Sequence, residues 1–364
     1  MSTLLERIHG CEAAGTIGNS MGDPVEGMYW TEIEEKYGFV DTLMEQEKKD
    51  GRASQPFGED FVYHAHHRPP GTTEDGQERH RLCANAILRK GGRITIEDLA
   101  ATWLCDIDPD KFGYLLGPQD RIIYLQLKAG VPPWEVGRNV SWPGFIGTSK
   151  MIMPVGMVNA CNPEQAAADA HDLGRIKDIR GVKGNYALEV CAAIAAATAE
   201  ALKPDATVES IIDTARSYLS AIPRAEVDAA LAWTNEVSDW RELRPRFHER
   251  YFGHPMSNAV EMLGAALCCF RMADGQPRDA ILSAVNLGRD TDCKAYISGG
   301  LAGALRGIDA VPADWVHTVD EAAKVCPWTV SNRTTRETAG GFEKAAFSTV
   351  QKMRDVVEMV ESMT

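Results

Sequence analysis

Two carboxylates two positions apart, Asp290 and Asp292, stand in the stretch Asn286-Leu-Gly-Arg-Asp-Thr-Asp-Cys-Lys-Ala295. Hard divalent cations take oxygen ligands, and an Asp-x-Asp where a turn enters a helix can turn both carboxylates toward one ion. The same residue types also suit helix capping, because Asp and Thr oxygens accept the free N–H groups of a first turn. A second acidic group, Thr73-Glu-Asp-Gly76, runs into the helical pattern Gln77 to Leu88 and has the same two readings. A third stretch, Gly15-Thr-Ile-Gly-Asn-Ser-Met-Gly-Asp-Pro-Val-Glu-Gly27, sets Glu26 in a Gly/Pro turn. Its glycines permit close backbone approach to another segment or to a ligand. Each group alone is explained by capping or by an exposed loop; three in one chain make an oxygen-rich cation site a candidate.

The elements that must position these residues are helical. Apolar residues recur at helical spacing from Leu4 and over Ile96–Leu104. The same spacing predicts helices near 118–129, 163–174, 185–202, 207–220, 224–237, 257–272, 277–286, 293–306, 313–324 and 341–363. Pro163 and Pro277 mark helix starts, and Gly130 and Gly275 mark ends. Ala295 to Leu305 is rich in Gly, Ala and Ser, so its neighbours can pack backbone to backbone. Strand patterning is confined to weak pieces at 61–64 and 142–146. The expectation is one all-α domain over 1–364, with 31–71, the loosest stretch, as a loop insertion or surface loop. Apolar and aromatic residues of 341–363 read as a docking face or an oligomer contact.

A net charge of −14 disfavours nucleic-acid partners, which need clustered Lys and Arg. The nine cysteines form no C-x-x-C pair, and the adjacent Cys268 and Cys269 read as small core residues, which together suggest a reducing compartment. The start of the chain lacks the pattern of a signal peptide, and the apolar run Val190–Ala201 is broken by Thr198 and Glu200, so no membrane span is expected. These features predict a cytoplasmic protein. The triplet His64, His66 and His67 looks like a ligand cluster but lacks a Cys or acidic partner at fixed spacing, so metal binding there is not the expected reading.

In order and flanks, the three acidic stretches resemble the ADP-ribosylglycohydrolase family, all-helical hydrolases that remove ADP-ribose from proteins and small molecules. That family carries a G-D-x-x-G-x-P-x-E stretch, a T-D-D-T helix start and a G-G-D-T-D-T helix start. Here they stand as Gly18-Asn-Ser-Met-Gly-Asp-Pro-Val-Glu26, Thr73-Glu-Asp-Gly76 and Gly288-Arg-Asp-Thr-Asp-Cys293. The resemblance implies an orthogonal helical bundle with a central di-metal site holding two Mg²⁺, with Mn²⁺ as the alternative. The implied ligands are Thr73, Glu74, Asp75, Asp290 and Asp292, with Cys293 at a further ligand position and Glu26 at the edge. It implies catalytic roles for Glu26, Asp75 and Asp292. The segment Gly147, Thr148 and Ser149 matches the family stretch that approaches the substrate, where backbone N–H groups can meet phosphates.

Several residues depart from the pattern. Asn19 replaces an Asp, Glu74 replaces the middle Asp, Gly76 replaces a Thr, Arg289 replaces a Gly and Cys293 replaces a Thr. Lys150 stands where the family has a small residue. Cysteine prefers softer metals than Mg²⁺, so one ion is implied to be weaker, different or absent. Arg289 reads either as a contact to a charged part of the substrate or as an ion pair with one of the acids. The expected function is metal-assisted hydrolysis of the glycosidic bond of an ADP-ribosyl or related ribosyl substrate, a small molecule or an ADP-ribosylated protein. The alternatives are a specialised N-glycosidase of a nucleoside, nucleotide or NAD-like metabolite, and a non-catalytic crystallin-like or binding protein.

Overall fold

The computed structural model describes residues 2–46, 67–139, 144–179 and 186–363. Among them the chain is helical, and extended pairing is limited to the isolated bridges Tyr29–Gly288, Gln46–Arg68 and Phe145–Asn258. Six helices matter most for the site. They are α1 (Leu4–Gly22), α2 (Asp75–Lys90), α3 (Ala187–Ala201), α4 (Ala259–Met272), α5 (Thr291–Arg306) and α6 (Thr335–Glu361).

α1 begins with a capping box: Glu6 N–H donates to Thr3 Oγ1 (3.2 Å) and Thr3 N–H to Glu6 Oε2 (2.7 Å). It then continues through the whole glycine-rich stretch, buried from Arg7 onward. The reason is α5. A Cβ on Gly18 would lie 2.2 Å from the Ala295 carbonyl oxygen, and one on Gly22 would lie 2.4 Å from the Asp292 Cα. The two backbones touch, which only small residues allow. This contact sets Asn19 against the first turn of α5, where Asp290 and Asp292 stand.

One hydrophobic core runs from Ile8 to Ala345. α3 crosses it as an alanine-rich helix, and Cys268 and Cys269 of α4 are fully buried in it as free thiols. The helices expected from periodicity recur within a few residues, such as Pro118–Lys128 and Ala313–Val325. Trp30–Tyr37, Met153–Val158 and Leu243–Tyr251 are additional. The last of these, LRPRFHERY, holds Pro245 and few apolar residues, so its helical period is faint.

The 31–71 stretch is anchored at both ends. Asn286 pairs with Val40 in both directions (2.9 and 2.8 Å), and Gln46 and Arg68 exchange backbone hydrogen bonds. Arg68 forms a buried ion pair with Asp23 at 2.6 Å. The expected β piece at 61–64, with His64 and His66, lies outside the described residues; His67 is exposed. Among the described residues, no helix is long and apolar enough to cross a membrane.

Candidate functional site

Two helix starts face each other across α1. At α5, Asp290 is the N-cap residue and its Oδ1 accepts the Cys293 N–H at 3.3 Å. At α2, Glu74 is the N-cap residue and its Oε1 accepts the Gly76 N–H at 2.9 Å. Capping at Asp290 uses Oδ1 and leaves Oδ2 bare, whereas Glu74 Oε1 both caps its helix and takes further contacts. Asn19 ties the two starts together. Its Nδ2 donates to Glu74 Oε1 (2.5 Å) and Asp292 Oδ2 (3.4 Å), and its Oδ1 accepts the Glu74 N–H (3.1 Å).

Between Glu74 and Asp292 lies the ammonium of Lys150, paired with Glu74 Oε1 and Asp292 Oδ2. All three side chains are buried, at 4% exposure or less. The lysine stem occupies the space above Gly76. A Cβ at Gly76 would lie 1.8 Å from Lys150 Cε and 2.3 Å from Nζ. A buried relay holds the Lys150 backbone in place. The Tyr296 hydroxyl donates to the Lys150 carbonyl (2.7 Å), His80 Nδ1 meets that hydroxyl (2.5 Å), and His80 Nε2 meets Glu12 (2.8 Å).

A cavity of about 320 Å³ opens beside this cluster. Glu26, Glu74, Asp75, Asp290 and Cys293 line its acidic side, and Phe145, Ile146 and Met256 line an apolar side. Burial, with Asp290 and Glu74 nearby, pushes the Glu26 carboxyl up to about 8. Burial also works against ionisation of Glu74. There the Lys150 ammonium and the hydrogen bonds it receives outweigh burial and hold the carboxyl well below its usual range. Burial pushes Asp292 well above its ordinary value, and the Cys293 thiol with it.

The sequence-expected residues divide by geometry. Glu26, Glu74, Asp75, Asp290, Cys293 and Gly147 line the cavity, and Asp292 lies fully buried behind its wall. Thr73 stands apart from the lining, where its hydroxyl accepts from Arg81 at 3.1 Å. Arg289 also stands apart and pairs with Glu261 of α4 (2.6 and 2.9 Å) and with the His254 and Pro255 carbonyls. Of the two readings for Arg289, the ion pair is the one formed, and its partner is a glutamate outside the acidic motifs. The side chains of Thr148 and Ser149 lie outside the described residues.

Sequence reasoning missed Arg79 and Asp120. Arg79 sits one helical turn after Asp75 and pairs with it at 2.6 Å, while Nε and Nη2 grip Asp120 at 2.6 and 3.0 Å. The i, i+4 spacing of Asp75 and Arg79 was the available signal. A Cβ at Gly147 would lie 2.9 Å from Lys177 Cε and 3.1 Å from Arg79 Nη1, so two cations border the backbone of that turn.

The implied metal pair is tested by the donor atoms. Asp290, Asp292 and Cys293 each offer one ligand atom within 4.8 Å of the others. Asp290 Oδ2 and Asp292 Oδ1 are buried with no hydrogen-bond partner among the described residues. Leaving such oxygens unsatisfied costs about 1–3 kcal/mol each, and a cation there would satisfy both, so this place fits one ion. The place between Glu74 and Asp292 does not fit a second, because Lys150 fills it.

The comparisons with known proteins agree with this architecture. The family model described as ADP-ribosylglycohydrolase matches residues 1–344. The chain belongs to the ADP-ribosylglycohydrolase family and is a glycosidase. Among solved structures, the chain is similar to one titled "ADP-ribosylglycohydrolase-related protein complex", at 19% identity and a TM-score of 0.63. That match covers 94% of this chain and 99% of the other, and at such identity it speaks for the all-helical fold. No curated protein sequence matches the chain.

Proposed function

We propose that this glycosidase hydrolyses the bond between C1 of a ribosyl group and its leaving nitrogen or oxygen, with an ADP-ribosyl or related ribosyl compound as substrate. The observation that carries the reading is the convergence of Glu26, Asp75, Asp290 and Cys293 on one cavity, with bare, buried oxygens on Asp290 and on Asp292 behind its wall. Those two residues, with Cys293, would hold a single divalent cation, Mg²⁺ or Mn²⁺. When bound, such an ion supplies Lewis acidity and lowers the pKa of a coordinated water. The chain itself supplies the rest. Glu26, whose carboxyl keeps its proton up to about pH 8 in the protein alone, stands at the cavity wall as the group that passes a proton to or from the reacting centre. Arg79 and Lys177 beside Gly147 suit the anionic part of the substrate.

A smaller ribosyl metabolite is the second reading. It is favoured by a cavity volume near the lower end of the roughly 300–1,000 Å³ usual for ligand sites. Both readings are tested with a substrate panel in Mn²⁺ or Mg²⁺: ADP-ribosyl-arginine, an ADP-ribosylated protein, NAD, nucleosides and nucleotides. Mass spectrometry reads the products. We expect release of ADP-ribose, falling at least about 100-fold in Asp292→Ala and in Glu26→Gln. Release of free ribose or ribose phosphate alone would select the second reading. Unchanged turnover in Asp292→Ala would sink both.

A further inference from the structure

We propose that the ammonium of Lys150 is a built-in cation that takes the place of one of the two metal ions implied for this site, so that the chain holds at most one. The inference rests on the glycosidase reading only in placing the site; its central observation is independent of any substrate.

Three departures in the sequence, far apart in the chain, meet at one point. Lys150 reaches Glu74 Oε1 and Asp292 Oδ2 together, bridging the two acidic helix starts as a shared ion would. Gly76 makes this possible. With any side chain at 76, Cβ would fall 1.8 Å from Lys150 Cε, so a threonine there would push the lysine out of this position between the two acids. Asn19 completes the set. It contacts the same two carboxylate oxygens that Lys150 contacts, and as a carboxamide it adds hydrogen bonds without adding charge. A single positive charge in place of a dication leaves less to neutralise. Replacing one carboxylate by a neutral amide compensates for that difference and leaves the local charge as it was. The lysine is also fixed at its base, because the Tyr296 hydroxyl holds its carbonyl and His80 and Glu12 hold Tyr296. A side chain so buried and so anchored is part of the fold rather than a mobile arm that a metal displaces.

The geometry leaves Asp290 Oδ2 and Asp292 Oδ1 bare for an ion, while the Cys293 thiol donates to Asp292 Oδ2 at 3.9 Å. Lys150 and that ion would share Asp292 through its two oxygens. The permanent half of the site is then independent of metal supply.

The test counts ions. The full-length chain is stripped with a chelator, equilibrated with Mn²⁺ and analysed for metal per chain by inductively coupled plasma mass spectrometry. The same is done for Lys150→Ala and for the triple variant Lys150→Ala, Gly76→Thr, Asn19→Asp. Circular dichroism checks that each variant folds. The triple variant is expected to hold one more Mn²⁺ per chain than the unmodified protein. An equal count in folded protein would overturn the proposal, as would two ions in the unmodified chain. Should the variants fail to fold, crystals of the unmodified protein soaked in Mn²⁺ decide. Anomalous density between Glu74 and Asp292, with Lys150 displaced, would refute the replacement, and its absence there would support it. Because binding alone is read, a wrong substrate assignment leaves this result standing, and a wrong ion count leaves the substrate panel standing.

Discussion

Arg289 shows what a single residue does when a motif changes. Its φ of +66° is a conformation natural to glycine, and a side chain there costs about 1–2 kcal/mol. The arginine is kept because its guanidinium reaches Glu261, both partners being buried. Burial pushes the Glu261 carboxyl up to about 7 even with Arg289 beside it. A carboxyl raised in the folded state keeps its proton where the unfolded chain has lost it. Its contribution to stability therefore falls as pH rises from about 4.5 to about 7 and is level above. Glu261→Gln removes that titration. The stability of the unmodified protein relative to Glu261→Gln, from urea unfolding across pH 4–8, is expected to fall by on the order of 2–3 kcal/mol over that window. A flat difference would contradict the raised carboxyl. The acids at 74, 75, 290 and 292 were legible in sequence, because helix-start chemistry is local. The partner of Arg289 was not, since 28 positions separate it from Glu261 and no spacing rule joins them. The same holds for Lys150, which sits 76 positions from Glu74 and 142 from Asp292.

At the scale of elements, the site exists because α1 and α5 touch along their backbones. The glycine content of both helices announced a close approach, but not that the two approach each other, nor that Asn19 lies in a helix rather than in a turn. Gly18→Ala tests the contact, since its methyl would meet the Ala295 carbonyl, which cannot move without carrying the first turn of α5 with it. A loss of about 3 kcal/mol is expected, the upper part of the usual range for overpacking. Gly340→Ala is the matched control. That glycine is also helical, but nothing lies within 4 Å of its would-be Cβ, so alanine should raise stability by about 0.5–1 kcal/mol. Thermal unfolding of the two variants side by side reads the contrast. Equal effects would mean that α1 and α5 are not in backbone contact. The weakest sequence expectations were the short helices, where a period of 3.6 has too few residues to register. Leu243–Tyr251 is the clearest case, though it supplies Arg244, whose guanidinium donates to the Asn286 carbonyl at 3.0 Å near the start of the site loop.

For the whole molecule, the question is where the folded body ends. α6 packs Phe342, Ala345, Ala346 and Thr349 into the core, and then from Gln351 to Met363 every residue is exposed. The family match stops near the same place, at residue 344. An exposed continuation contributes its own helical hydrogen bonds and little else. It cannot persist for long without a packed face, since isolated helices of this length are marginal in water. Yet Met353, Val356, Val357, Met359, Val360 and Met363 are exposed along it. A chain ended after Gln351 keeps every buried contact of the core and of the site. Its unfolding midpoint is expected to stay within about 1 °C of the full chain, because the residues removed bury nothing. Its hydrolysis of the preferred panel substrate should be unchanged. A drop of several degrees that grows with protein concentration would instead mean that another chain covers this helix. The midpoint, measured at two concentrations for both lengths, separates a free extension from one whose apolar residues are spoken for.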